Sequence, residues 1–339
     1  MNYTAMPLVK RGDSIEFMEE IRTLAPPDDD EVTVAVRACG VCGSDIARWR
    51  GEAYHYPLVI GHEFAGEVID DPAGEWTRKR VAVFPIIPCQ KCPQCQREMY
   101  AMCEHYDYYG SRRDGGFAEL LNVKRANLIE IPVGVSFEAA AMCEPCAVAL
   151  CALEKAQTVE NKTVVIYGAG TIGLILVKLA LIRGAAAVYV FEPDARKLEF
   201  AKTFGAAQLT ADVHADVIID ACGRPEALVD MLLHAKPSAE LVLMGNPASD
   251  VQLPRAVYWK ILRGELTLRG TWNSRFAAHA NDWQEVLSLM GEGTLDISPL
   301  ITHRFALTEA ETALRTMIDR DAFSVKVMLV NREESKCIL

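Results

Sequence analysis

"TVVIYGAGTIGLILVKLALI" (163–182) is apolar enough over its length to suggest a membrane span. Glycines at 168, 170 and 173, with Lys178 inside the run, fit a buried strand, a tight turn and an apolar helix better. The flanking sequence agrees with the second reading. "AVYVFE" (187–192) is a further strand, "PDARKLEFAKTFG" (193–205) an amphipathic helix, and "DVIIDAC" (216–222) and "AELVLMG" (239–245) two more strands. Strands alternating with helices predict a doubly wound parallel sheet, an α/β arrangement. Before about residue 135 the pattern differs: "EVTVAVRAC", "PLVIGHEFAGEVI" and "RVAVFPI" are short β-type runs broken by glycine and proline. The last forty residues return to a β/α mixture that closes on the strand "FSVKVMLV" (323–330). No internal repeat or low-complexity stretch is present.

The turn at 168–173 reads Gly168-Ala-Gly170-Thr171-Ile172-Gly173, and Glu192 stands nineteen positions beyond it, at the end of the next strand. A Gly-x-Gly-x-x-Gly between strand and helix, followed by such an acid, is a dinucleotide-binding fingerprint. Gly168 permits the turn, Gly170 admits the pyrophosphate, and Gly173 lets helix and strand pack closely. Thr171 and Ile172 open the helix whose N-terminus offers donors and a positive dipole. Glu192 accepts from ribose hydroxyls and repels a 2′-phosphate, which favours NAD over NADP. Arg196 and Lys197 lie close enough to soften that preference.

At 339 residues the chain is long enough for two domains, each burying its own core. A formal net charge of -11 argues against a nucleic-acid partner, which needs clustered Lys and Arg. The N-terminus lacks a basic start followed by an apolar core, so no signal peptide is expected. The ending "KCIL" has its cysteine third from the end, out of place for prenylation. A soluble, cytoplasmic protein without a membrane partner is the expectation.

The eleven cysteines are many for a cytosolic protein unless some bind metal. Cys89, Cys92, Cys95 and Cys103 follow the spacing C-x2-C-x2-C-x7-C. Four thiolates this close suit a tetrahedral Zn²⁺ with Zn–S distances of about 2.3 Å, a closed structural site. The seven-residue gap departs from the ferredoxin run. A zinc that performs chemistry keeps one position open and takes mixed ligands. Cys42 and His62, with Glu63 beside it, supply part of such a set. "AAAMCEPCAVAL" (139–150) offers Glu144 as a further ligand, with Cys143 and Cys146 as softer competitors. Taken singly, His62 reads sooner as a satisfied core imidazole than as a ligand, and Cys42 reads also as an inert buried thiol.

"CGVCGSD", "GHEFAGEV", the four-cysteine lobe, "DGGFAEL", "CEPCAVAL" and "GAGTIG" together resemble the zinc-dependent medium-chain dehydrogenases, essentially end to end. The "EP" of 144–145 points to the polyol, sorbitol-like branch. "AYHYPLVIGHEF", "GSRRDGGFAEL" and "YWKILRGELTLRGTWNS" are more similar still to galactitol-1-phosphate 5-dehydrogenases. The resemblance implies a GroES-like β-rich catalytic domain (1–147 and 298–339) and an inserted NAD-binding Rossmann domain (148–297), with the active site in the cleft between them. It implies two Zn²⁺ per chain. Cys42, His62 and Glu144 would hold the catalytic one, with Glu63 as an alternating or water-linked ligand. Ser44 would pass on the substrate proton, and Asp45 would orient a ligand. One departure stands out: the histidine common five residues after the first zinc cysteine is Ala47 here, so the proton leaves through the cofactor ribose and water or through a group such as His55.

The expected substrate is a polyol or sugar alcohol, oxidised at a secondary hydroxyl. Arg48, Arg50, Arg112 and Arg113 are candidates for binding a phosphate, and read equally well as solvated surface charges. Trp272 and Asn273 are candidates for the pocket wall, and the tryptophan reads equally as core or subunit-interface packing. Alternatives are L-threonine, an amino or cyclic polyol, and a catalytically silent NAD- and zinc-binding relative. The resemblance also implies a homodimer paired through Rossmann edge strands near "ELTLRGTW", or a homotetramer.

Overall fold

The strand–helix alternation after residue 150 becomes a six-stranded sheet in the computed structural model, which describes residues 1–247 and 249–331. The strands lie in the order Ala207–Gln208, Ala187–Phe191, Thr163–Tyr167, Ala215–Asp220, Ala235–Leu243, Thr267–Gly270. All neighbours are parallel. In chain order this is 3-2-1-4-5-6, with the fingerprint turn leaving the strand where the winding reverses. Val164, Val165, Ile166 and Tyr167 are fully buried, as a strand covered on both faces requires. The helix Thr171–Ile182 is capped by Gly170. Asp194 caps Ala195–Thr203 by accepting from the Arg196 N–H at 2.9 Å.

These elements belong to one compact unit, Pro145–Ser274; the other comprises Met1–Glu144 and Arg275–Leu339. The return to the first unit therefore comes at 274/275 rather than at 297/298. The cause is the helix Asp282–Gly291, whose Trp283 is 1% exposed. Its ring packs edge-on against Phe84, at 5.6 Å between centroids, and Phe84 stacks on Phe276 at 4.4 Å. An apolar face this large stays with the core that buries it.

The first unit is built on a seven-stranded sheet in the order Leu128–Glu130, Arg80–Val83, Glu63–Asp70, Glu31–Gly40, Lys326–Val330, Ile301–Phe305, with Leu120–Lys124 also paired to Glu31–Gly40. Two of its pairings bring distant residues together at one end of the central strand. Gly40 lies opposite Glu63 on one side and Met328 on the other. A Cβ at Gly40 would meet the Glu63 carboxylate and the Lys326 stem, so this pair closes over the bare glycine backbone. Among the described residues no helix is long and apolar enough to cross a membrane. The "KCIL" ending lies outside the described residues.

Candidate active site

After Gly40 the chain turns into the short helix Gly43–Ala47. Cys42 sits at its N-cap, and the Cys42 amide donates to Asp45 Oδ2 at 2.9 Å. The register of Gly40 with Glu63 lays "HE" of 62–63 alongside. Ligand atoms of Cys42, His62 and Glu63 all fall within 4.8 Å of one another. Cys42 is half-buried, His62 4% exposed and Glu63 2% exposed. A thiol, an imidazole and a carboxylate converging in a buried pocket form a zinc donor set. Glu144, 6% exposed, is not among the three mutually close donors. Cys143 donates instead toward the Trp283 carbonyl at 3.6 Å, and Cys146 is a fully buried member of the second unit.

The electrostatics favour a cation. Burial disfavours protonated His62, yet Tyr108, Cys42 and Asp45 raise its pKa well above the usual imidazole range. Burial is the largest cause pushing the Glu144 carboxyl up to about 7; Glu63 and Asp45 add to it, while His62 and Lys326 oppose it. His62 Nδ1 is buried without a hydrogen-bond partner, 3.6 Å from Asp45 Oδ1, too long for a hydrogen bond. A ring left unsatisfied among acids, with a carboxylate behind it, fits a metal ligand with its orienting neighbour.

Three features of this site were not read from the sequence. Lys326, 2% exposed, pairs with Glu63 Oε2 and donates to the Val41 carbonyl at 3.0 Å. Its only signal is a lysine interrupting an apolar strand. Arg48 donates to Ser44 Oγ at 2.9 Å and to Asp45 Oδ1 at 3.3 Å. The Tyr108 ring stands 5.7 Å from that of His62. His55, a candidate proton exit, places one ring nitrogen 3.1 Å from the Pro57 carbonyl and the other 3.2 Å from the Arg112 carbonyl.

Cys89, Cys92, Cys95 and Cys103 converge as the spacing predicts, with ligand atoms within 4.8 Å of one another. Cys92 caps the one-turn helix Pro93–Gln96, which turns Cys95 back toward it. Backbone N–H groups lower the Cys92 thiol to about 6, whereas burial, with the neighbouring thiols, raises Cys95 to about 12. Thiols sharing protons in this way suit a metal that would displace them all.

In the second unit a cavity of about 620 Å³ opens beside the fingerprint turn, lined by Gly168, Glu192, Lys197 and Arg224 among others. Gly168 has φ +105°. A Cβ on Gly173 would overlap the Gly168 carbonyl, whereas one on Gly170 would meet nothing. Glu192 accepts from the N–H of Ala169 at 2.8 Å and of Asp194 at 3.0 Å. Arg196 folds onto Asp194 at 2.8 Å. Trp272 is 59% exposed, and the Asn273 side chain accepts from its neighbour Ser274 N–H at 2.8 Å.

Comparison with known proteins agrees with this geometry. Residues 28–133 match the alcohol dehydrogenase GroES-like domain, and residues 171–292 match the zinc-binding dehydrogenase family. Galactitol 1-phosphate 5-dehydrogenase of Escherichia coli K12 is 37% identical over 323 residues, covering 89% of this chain and 92% of the relative. An alcohol dehydrogenase of Escherichia coli CFT073, described as short chain and solved with NADH, is 29% identical with a TM-score of 0.86, covering 98% of this chain and 100% of that one. A protein of Sinorhizobium meliloti 1021 assigned to the zinc-binding dehydrogenases and solved with NADP is 28% identical with a TM-score of 0.89, at the same coverage. Two family regions, one largely in each unit, and a relative matched along nine tenths of its length show that the chain belongs to the zinc-dependent medium-chain alcohol and polyol dehydrogenases.

Proposed function

We propose that this dehydrogenase oxidises a secondary hydroxyl of a polyol or sugar alcohol to a ketone, with hydride passing to C4 of NAD. The buried convergence of Cys42, His62 and Glu63 is the observation that carries the reading, beside a dinucleotide fingerprint in the second unit. Cys42, His62 and Glu144 would hold the catalytic zinc, with Glu63 as an exchangeable ligand, and Cys89, Cys92, Cys95 and Cys103 a structural one. Bound there, zinc is a Lewis acid that draws the pKa of a hydroxyl toward neutrality.

The protein's own groups handle position and protons. Asp45 faces the rear of the His62 ring and orients it. Ser44 Oγ takes the substrate proton. Because Arg48 donates into one Ser44 lone pair, the serine's own hydrogen is directed elsewhere; bound NAD would supply ribose hydroxyls as one exit for it, and His55, held on two carbonyls, is the other. Glu192 sets a preference for NAD: a 2′-phosphate would have to approach a carboxylate already anchored by two N–H donors. Lys197 and Arg224, in the same cavity, moderate that preference.

Thiolate ligands require reducing conditions, consistent with a cytoplasmic enzyme. The edge strand Thr267–Gly270, with Trp272 59% and Leu262 57% exposed, supports a homodimer or homotetramer. Size-exclusion chromatography with light scattering tests it, and a monomer would dismiss it.

The activity is tested by following NADH formation over free and phosphorylated polyols, amino alcohols and L-threonine, with zinc measured on the same sample. Turnover of a polyol by protein holding two zinc ions supports the reading. Turnover of L-threonine alone, or of nothing by fully loaded protein, ends it.

A further inference from the structure

We infer that Arg112 reads a terminal oxyanion on the substrate, a phosphate monoester or a carboxylate at the far end of the polyol chain; this rests on the proposed polyol activity. The four candidate arginines are not equivalent in the structure. Arg48 is committed to Ser44 and Asp45, and Arg113 to Asp107 at 2.7 Å. Arg50 is exposed and framed by no aromatic ring among the described residues. Arg112 lies between two tyrosines, its guanidinium carbon 4.1 Å from the Tyr106 ring centre and 4.9 Å from that of Tyr54.

No described carboxylate closes an ion pair with Arg112. Asp107, the acid that acts on Arg112 electrostatically, is closed on Arg113 at 2.7 Å. One terminal nitrogen of Arg112 donates to the Tyr106 carbonyl at 2.7 Å, the other to the Tyr54 hydroxyl at 3.4 Å. Of the five guanidinium N–H groups, Nε–H and one on each terminal nitrogen remain. Three donors left on one planar cation suit the several oxygens of a phosphate or carboxylate. The clamp is also preorganised, because His55 reaches the carbonyl of Arg112 itself from the loop carrying Tyr54. A side chain already ordered loses less entropy when it binds.

An unbroken aromatic path ties this corner to the metal site. Tyr108 stands 5.7 Å from His62, Tyr106 6.2 Å from Tyr108, and the Arg112 guanidinium 4.1 Å from Tyr106. These three steps set an upper bound on the separation. A substrate whose hydroxyl is at the metal extends along this wall, and the cation with three free donors meets its other end.

The test compares kcat/KM for galactitol, galactitol 1-phosphate and L-galactonate with NAD, on zinc-loaded wild type, Arg112→Met, Arg112→Lys and Tyr54→Ala. In the wild type at least one anion is preferred over the neutral polyol. Arg112→Met lowers that anion-to-neutral ratio by roughly 10- to 100-fold, the size of one or two charge-assisted hydrogen bonds. The anion whose ratio collapses identifies the group. Arg112→Lys restores part of the ratio. Tyr54→Ala, at a ring belonging to a residue 69% exposed and so dispensable for folding, lowers the ratio by a smaller factor. An unchanged ratio with both constants falling together would make Arg112 a structural strap and overturn the inference, as would a wild type indifferent to charge. If no polyol of either kind is oxidised, the proposed function fails and takes this inference with it.

Discussion

Replacing Lys326 by Met keeps the stem of the side chain and removes its charge. The lysine is 2% exposed, and its partner Glu63 is equally buried. Burial works against the ammonium, but Glu63, Cys42 and Glu144 together outweigh it and raise the lysine pKa. Removing one member of such a pair leaves the other charge uncompensated, at a cost of about 3–5 kcal/mol. For a unit of this size that means a Tm lower by roughly 6–20 °C. The loss is expected in full only without metal. Zinc held by Cys42 and His62, as proposed, would give Glu63 a second cation, so the gap between variant and wild type should shrink by more than half on loading. Calorimetry on metal-free and zinc-loaded samples of both proteins measures this, and emptying the four-cysteine lobe affects both alike. A metal-free gap under about 1 kcal/mol, the range of an exposed ion pair, would refute the reasoning. So would a gap that zinc leaves unchanged.

Other outcomes are set by the same geometry. Glu144 is held protonated by burial, with its pKa about 7 against an ordinary 4.5. Between those values the folded metal-free protein binds a proton that the unfolded chain has lost, so its stability falls as pH rises from 4.5 through 7; zinc should flatten that slope in denaturant titrations. Gly173→Ala should unfold the second unit at lower denaturant because its Cβ meets the Gly168 carbonyl, whereas Gly170→Ala should melt like wild type and bind NADH more weakly by fluorescence titration. Glu192→Ser removes the carboxylate that opposes a 2′-phosphate; the NAD-to-NADP ratio of kcat/KM should drop by roughly tenfold or more. A ratio that stays fixed would refute the role given to Glu192.

Features local in the chain were legible. The turn at 168–173 carries its own strand and helix within about twenty residues, so its glycines, its buried strand and Glu192 could be placed from spacing alone. The four cysteines within fifteen residues have few ways to avoid one another, and their cluster was equally plain. The pair Cys42 and His62-Glu63 was half legible: the residue types suggested a metal, but their convergence depends on Gly40 pairing with Glu63 across the sheet.

What only the tertiary structure decided lies farther apart. Lys326 reaches Glu63 across 263 positions, because the closing strand happens to pair with the one that ends at Gly40. No periodicity records which buried charge will face which. The helix Asp282–Gly291 looked like the end of the Rossmann domain and joined the first unit, since burying Trp283 against Phe84 outweighs sequence neighbourhood. Arg112 was one of four equivalent cations on paper. It was singled out by two tyrosine rings, one of them 58 positions away, and by acids elsewhere that paired with its neighbours. Spacing fixes chemistry when the chain between the groups is too short to separate them; over longer distances, strand register and packing choose the partners.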